Sequence, residues 1–303
     1  MICSACSLIY ASPRQTCAVL DDLNLNNPGD PGSQVNAPAG VRRAQGIRFE
    51  ELQAANHVQL MKRFMDLKGK RILGLRCRSG ALAALLRQEG AAELGIDPQE
   101  ASINYARQVR GLADTRIVPM SRLDRLEVPG ASVFDAIEGL NDHVAAHVLC
   151  PRFLLTRAFE LLKPGGFLFL DEKDVLLPSR RLHVLDTGQA HQYHFTMTTL
   201  TGLIRSVGFE IRECELDRLH VTDFQHFVVV AQKPESGMPP RHDLRFVPDR
   251  AAAKDVRRRL RKLELSYQWI RCHEALVSGV RGFLRRVPGL RQGRRLVQRM
   301  LSH

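Results

Sequence analysis

No stretch of these 303 residues is apolar for long enough to form a helix that spans a bilayer. The opening segment, MICSACSLIYASPR, has no basic region ahead of its apolar residues, so it does not read as a secretory signal. Cysteines are seven, an odd number, and scattered. That argues against a disulfide framework and for a reduced, cytoplasmic setting. Cys3-x-x-Cys6 has metal-ligand spacing and Cys17 is a third candidate, but a second CxxC is missing. A closed zinc site needs four ligands, so no metal is expected. Aromatic residues are few, with one Trp and four Tyr, and no RNA-binding module is recognisable.

Acidic residues run out towards the end of the chain. Residues 241–303 hold 17 Lys+Arg against 5 Asp+Glu, which accounts for the whole net charge of +12 and leaves the rest neutral. After Glu274 there are seven Arg and no acid, with Val277, Val280, Phe283, Leu284 and Val287 interleaved. Arg among apolar residues suits an interfacial helix on an anionic membrane, hence a peripheral position at the inner face. Contact with a nucleic-acid backbone is the weaker expectation.

Apolar patterning divides the remainder. Residues 1–20 read as a small knuckle, and 21–46, rich in Asn, Gly, Pro and Asp, as a linker. Helical spacing marks 48–67. From Arg71, short apolar runs alternate with helix formers: strands over 72–75, 93–96, 116–119, 134–140 and 167–172, and helices over 80–89, 99–109, near 148–162 and over 196–208. Lys163-Pro164-Gly165-Gly166 reads as a turn. Strands over 209–216 and 226–233 close the body with no obvious helix between them, so an antiparallel final pair is expected. The alternation implies an α/β, Rossmann-like, mostly parallel sheet covered on both faces. The domains are then 1–46, 47–235 and a basic helical extension over 236–303.

The junction RILGLRCRSG–ALAALLRQ carries the chemistry. A strand over Ile72 to Leu75 enters a turn ending in Ser79-Gly80, and a helix starts at once, so free helix N–H groups can face a ligand. ELGID then ends a second strand in an acid, Asp97, as a ribose-gripping fold requires. Two turn positions that would favour glycine hold Arg76 and Arg78. Their guanidinium groups either fill the cavity or hold a phosphate or carboxylate of some other ligand. Asp97 can equally start the helix that follows Pro98.

RILGLRCRSGALAALL, ELGIDPQEASINYAR, FDAIEGL and LLKPGGFLFLDE, in that order, resemble the successive motifs of class I S-adenosylmethionine-dependent methyltransferases. HQYHFTMTTLTGLIRSVGFEI and CSACSLIYASPR resemble a bacterial branch of that family with an N-terminal cysteine knuckle, here residual. The resemblance covers residues 1–20 and 48–233, and not the basic tail. It implies seven strands with an antiparallel last one and S-adenosylmethionine over the C-terminal ends of the first strands. Carried onto this chain, the cofactor residues are Gly74, Leu75, Arg76, Cys77, Gly80, Asp97, Pro98, Ser121 and Gly139. Gly74 stands where the family has an acid, Arg76 and Arg78 where it has glycines, and Ser121 where an acid often faces the adenine.

His147 and His143 follow the fourth strand of that body and are the candidate bases, since an imidazole titrates near 6.5 and can take a proton from an acceptor. Packed or surface histidines are the plainer reading. His191, Tyr193 and His194 form a second polar cluster on the acceptor side or a solvated loop. The expected function is methyl transfer to a small-molecule or glycan- or lipid-linked acceptor. Two alternatives stand beside it: a catalytically inactive scaffold of the same fold, and a nucleic-acid methyltransferase anchored by its tail.

Overall fold

Near-continuous apolar runs and amphipathic helices from Arg71 onward build one sheet with helices on both faces. The computed structural model describes residues 1–3, 8–26, 41–128, 131–140, 143–176, 191–216, 226–236, 254–262 and 265. In chain order the elements are β1 (Ile9–Tyr10), α1 (Cys17–Asn26), α2 (Val41–Lys62), β2 (Arg71–Leu75), α3 (Ala81–Gln88), β3 (Ala92–Asp97), α4 (Glu100–Arg110), β4 (Thr115–Ile117) and α5 (Met120–Leu123). They continue with β5 (Phe134–Gly139), α6 (Val144–His147), α7 (Pro151–Leu161), β6 (Leu162–Lys173), β7 (Tyr193–His194), α8 (Met197–Arg205), β8 (Glu210–Leu216) and β9 (His226–Gln232).

Seven strands lie in the order β4-β3-β2-β5-β6-β9-β8. The first five are parallel, and β9 runs against both of its neighbours. The antiparallel ending expected from the sequence is therefore present. Alternation along each strand sends residues to two cores. Leu73, Leu75, Ile137, Leu168 and Leu170 pack beneath α7 and α8. Ile72, Ala136, Phe169, Val228 and Val230 pack beneath α2 and α3, against Ala54, Val58 and Leu86. Gly74, Glu138 and Asp171 alternate with the first set, so they belong to the α2/α3 face.

Some elements differ from the sequence expectation. Lys163-Pro164-Gly165-Gly166 lies within β6 and not in a turn: Leu162 pairs with Phe134, and the register shifts before Phe167 pairs with Ala136, with Gly165 at a φ of 75°. The shift absorbs the Pro and the glycines without ending the ladder. The segment read as knuckle and linker contains α1 and the start of α2. Leu20 of α1 is fully buried in the α7/α8-side core, and β1 pairs with β7. Cys6 and residues 27–40 lie outside the described residues, as does nearly all of the basic tail. Residues 254–262 are helical. The chain divides into one unit over Met1–Val256 and another over Arg257–His303. Among the described residues no helix is long and apolar enough to cross a membrane.

α8 begins with a capping box. Thr196 Oγ1 accepts from the Thr199 N–H while Thr199 Oγ1 accepts from the Thr196 N–H. The start of α3 depends on Gly80, at a φ of 73°. A β-carbon there would sit 2.5 Å from Leu112 Cδ1 and 3.0 Å from Ala106 Cβ. Gly80→Ala should therefore cost about 2 kcal/mol or more, from the left-handed backbone and the clash together. It should lower the urea midpoint with the slope unchanged; an unaltered midpoint would show that this turn is not left-handed in solution.

Candidate active site

The loop between β2 and α3 keeps a glycine-type backbone with arginines on it. Arg76 and Arg78 have φ values of 55° and 51°, and both side chains are buried, at 3% and 6% exposure. Its neighbours pin the loop from several sides. The Cys77 N–H donates to the Ile96 carbonyl and the Arg78 N–H to Asp97 Oδ2, at 3.0 and 2.9 Å. Ser79 Oγ donates to Glu50 of α2, and Arg110 of α4 donates to the Ser79 carbonyl. Arg76 reaches across to Met120, its Nη1 3.8 Å from the thioether sulfur. The space left among Glu50, Arg76, Cys77, Arg78, Glu93 and Glu138 is about 10 Å³, near the minimum that admits one water.

Beneath the loop, neighbouring strands present acids on one sheet face. A β-carbon at Gly74 would run into the Glu93 carboxyl and sit 2.8 Å from Glu138 Oε1. These two carboxyls occupy the volume that a side chain at 74 would take, so a larger residue there requires them to move. Glu138 Oε2 also accepts from the Leu140 N–H. Burial pushes both carboxyls up, Glu93 to about 8 and Glu138 well above its ordinary value, with the Glu93 charge the next cause at Glu138. Glu93 as a residue is part-exposed, but its carboxyl oxygens are buried. The Cys77 thiol is pushed up by burial and then by Asp97, Glu93 and Glu138, so it is no nucleophile at neutral pH.

Histidines gather along the same strand ends. His143 caps α6 with a φ of 46° and His147 ends it. The His147 and His191 rings lie 4.5 Å apart, and His191 lies 6.2 Å from His143 and 5.9 Å from His194. Burial pushes the His147 imidazole well below 6.5, and the charges of Arg76, His191, Lys173 and Arg78 push it the same way. It is thus neutral at physiological pH, as a base must be. Its Nδ1 is buried with no hydrogen-bond partner among the described residues. Asp171, fully buried, accepts from the His143 N–H, and Glu172 accepts from the Ala146 N–H.

Most of the sequence-derived residues meet on this edge, though not all face it. Asp97 sits at the end of β3 with one oxygen on the Arg78 N–H and the other on the Gln99 N–H. Leu75 is core, at 1% exposure, and Pro98 is buried ahead of α4. Gly139 allows close packing, since a β-carbon there would sit 2.6 Å from Val144 Cγ1. Ser121 is held by Asp21 of α1, which accepts from its N–H and Oγ at 2.8 and 2.7 Å. The position read as facing the adenine is thus occupied with a contact to α1. Tyr193 points away, its hydroxyl donating to the Leu149 carbonyl. Glu50, Glu93, Asp171 and His226 were not anticipated. The strand-end placement of Asp171 and His226 is the only signal the sequence carries for them.

For an adenosyl cofactor the fit is divided. Gly80, the α3 N-terminus and the Asp97 carboxylate lie together at the adjoining ends of β2 and β3, where they would hold such a group. Arg76 and Arg78, both buried, line the space beside that turn with Glu50, Cys77, Glu93 and Glu138, and little of it is left open.

A family model described as "Methyltransferase domain" matches residues 45–213. Ubiquinone biosynthesis O-methyltransferase of Nitrosococcus oceani is 32% identical over 125 residues, 40% of this chain and 52% of that protein. The Bordetella pertussis protein of the same name is 33% identical over 129 residues, 40% and 51% of the two chains. The chain spans about half the length of these curated relatives. Among solved structures, magnesium protoporphyrin IX methyltransferase of Synechocystis PCC 6803 matches with a TM-score of 0.52 at 14% identity, covering 71% of this chain and 98% of its own. A Burkholderia thailandensis 1,6-didemethyltoxoflavin-N1-methyltransferase matches with a TM-score of 0.52 at 17% identity, covering 75% and 95%. At such identities the structural matches speak to the fold.

Glu93 supplies a test of the buried acids. It keeps its proton to about pH 8 when folded and loses it at 4.5 ordinarily. The stability tied to that proton is complete below pH 4.5 and is lost as pH rises through about 8. Glu93→Gln removes this loss and should stabilise the chain by on the order of a few kcal/mol at about pH 8.5, with little effect near pH 4.5. Urea midpoints at both pH values read the difference; parallel pH responses in the two chains would mean that water reaches the carboxyl.

Proposed function

This chain belongs to the methyltransferase-domain family, and from that premise we propose that it transfers a methyl group from S-adenosylmethionine to an oxygen of a small-molecule acceptor. The observation that carries the reading is the Asp97 carboxylate beside the left-handed Gly80 turn, at the adjoining ends of β2 and β3. When bound, the cofactor supplies an electrophilic methyl on a sulfonium, and direct displacement asks little covalent help of the protein. The chain's own contributions are positional and basic. Asp97 and the start of α3 are the groups that would face the ribose and the polar end of the cofactor. His147, kept neutral by burial and by the cations around it, takes the acceptor's proton. The relatives that are O-methyltransferases support an oxygen acceptor, and His143 and His191 line the side from which it would approach.

One observation favours a second reading. Arg76 and Arg78 are buried in the loop where the family has glycines, and the small space left beside them suits a non-catalytic member of the fold. Calorimetric titration with S-adenosylmethionine separates the two. Weak binding by the native chain, tightened at least about tenfold in Arg76→Gly/Arg78→Gly, is the expected result. Binding by the double variant alone would assign the native chain to the second reading.

His147→Ala should lower kcat by roughly 10²- to 10⁴-fold and leave cofactor affinity intact. Because its conjugate acid forms only well below pH 6.5, activity should stay level as pH falls from 7 through 6.5. An acidic limb near 6.5 would point to a solvated histidine as the base.

A further inference from the structure

We propose that His143, Asp171 and His226 form a binding site for one divalent transition-metal ion, independent of the adenosyl cradle. Three separate segments supply the donors: the start of α6, the end of β6 and the start of β9. The sheet register explains their meeting. Asp171 is paired with Val228, so His226, two residues earlier in β9, projects from the same face as the diagonal neighbour. The chain leaving β5 brings His143 over that pair. Its left-handed backbone is held there by its N–H, which donates to Asp171 Oδ1 at 3.3 Å.

Asp171 Oδ2 then faces both imidazoles, 3.8 Å from His143 Nδ1 and 3.7 Å from His226 Nδ1. Those separations exceed a hydrogen bond. One ligand atom from each residue lies within 4.8 Å of the others. Around a tetrahedral ion with bonds near 2.0–2.2 Å, neighbouring donors stand roughly 3.3–3.6 Å apart. The carboxylate–imidazole pairs are then within a few tenths of an ångström of that spacing, and donors as far apart as 4.8 Å close by about 1.2 Å, shared between two side chains. All three residues are buried, at 8%, 0% and 2% exposure, and the two ring centroids lie 4.5 Å apart. The cluster is thus a converging donor set inside the fold and not an accidental surface group.

Donor chemistry selects the ion. Two imidazoles and one carboxylate favour zinc, cobalt, manganese or ferrous iron over magnesium or calcium, which prefer oxygen shells. The described residues supply three ligands, the number a zinc-type site carries when its fourth position is taken by water or a ligand oxygen.

The test uses the full-length chain, stripped with chelator and titrated with Co²⁺ and then Zn²⁺. Uptake of one ion per chain is expected, with visible cobalt absorption of the nitrogen–oxygen type and a raised thermal midpoint. Asp171→Asn and His226→Gln should each weaken binding at least about tenfold and remain folded by circular dichroism. Should either variant fail to fold, X-ray absorption of the zinc-loaded native chain decides, a first shell with imidazole and no sulfur being the supporting result. No uptake by the native chain, undiminished affinity in a folded variant, or a sulfur-to-cobalt charge-transfer band in place of the nitrogen–oxygen spectrum would each overturn the assignment.

Discussion

A single buried carboxylate holds this edge of the sheet together. Asp97 ends β3 and accepts from the Arg78 N–H of one loop and from the Gln99 N–H that leads into α4. The β2–α3 turn is thereby tied to the strand beside it. With Asp97 in place, the Cys77 N–H reaches the Ile96 carbonyl and Gly80 can open α3. Two charge-assisted bonds inside the protein exceed ordinary hydrogen bonds in worth, and they satisfy an acid that would otherwise be costly to bury. The same carboxylate can meet a ligand only through the lone pairs it has left.

The arginines show how firmly backbone shape persists here. At both 76 and 78 the chain adopts a left-handed conformation that favours glycine, at roughly 1–2 kcal/mol for each side chain. The hydrogen bonds of Asp97, Ile96, Glu50 and Arg110 over-determine the turn, so it keeps its form. Glu93 and Glu138 show the complementary effect. Glycine at 74 leaves a gap on the sheet, and two carboxyls from flanking strands fill it, their affinity for protons raised by the absence of water.

Local signals carried much of the fold. Apolar runs broken by helix formers made the alternating strands and helices legible from Arg71 onward, and the acid ending ELGID marked the strand end correctly. The lack of a helical pattern in the sequence between 209–216 and 226–233 was enough to anticipate a reversed β9. What stayed hidden depended on register and on distant pairing. Glu93 reads as a surface acid until β3 is set beside β2. Asp171 and His226 stand 55 positions apart in the numbering and become neighbours only through the β6–β9 ladder. Asp21 gave no sign of serving Ser121, because α1 lies within a stretch whose Asn, Gly and Pro content speaks for a linker. The Pro-Gly-Gly segment misled for a related reason: a register shift inside a strand has the same composition as a turn.

α2 touches this edge at two points, with Glu50 accepting from Ser79 Oγ and Glu51 from Arg110, whose Nε holds the Ser79 carbonyl. The helix therefore acts as a latch on the loop as well as a cover for the apolar face. Displacing α2 would release the Ser79 hydroxyl and the Arg110 guanidinium together, so the order of the loop and the seating of the helix are linked through two adjacent acids.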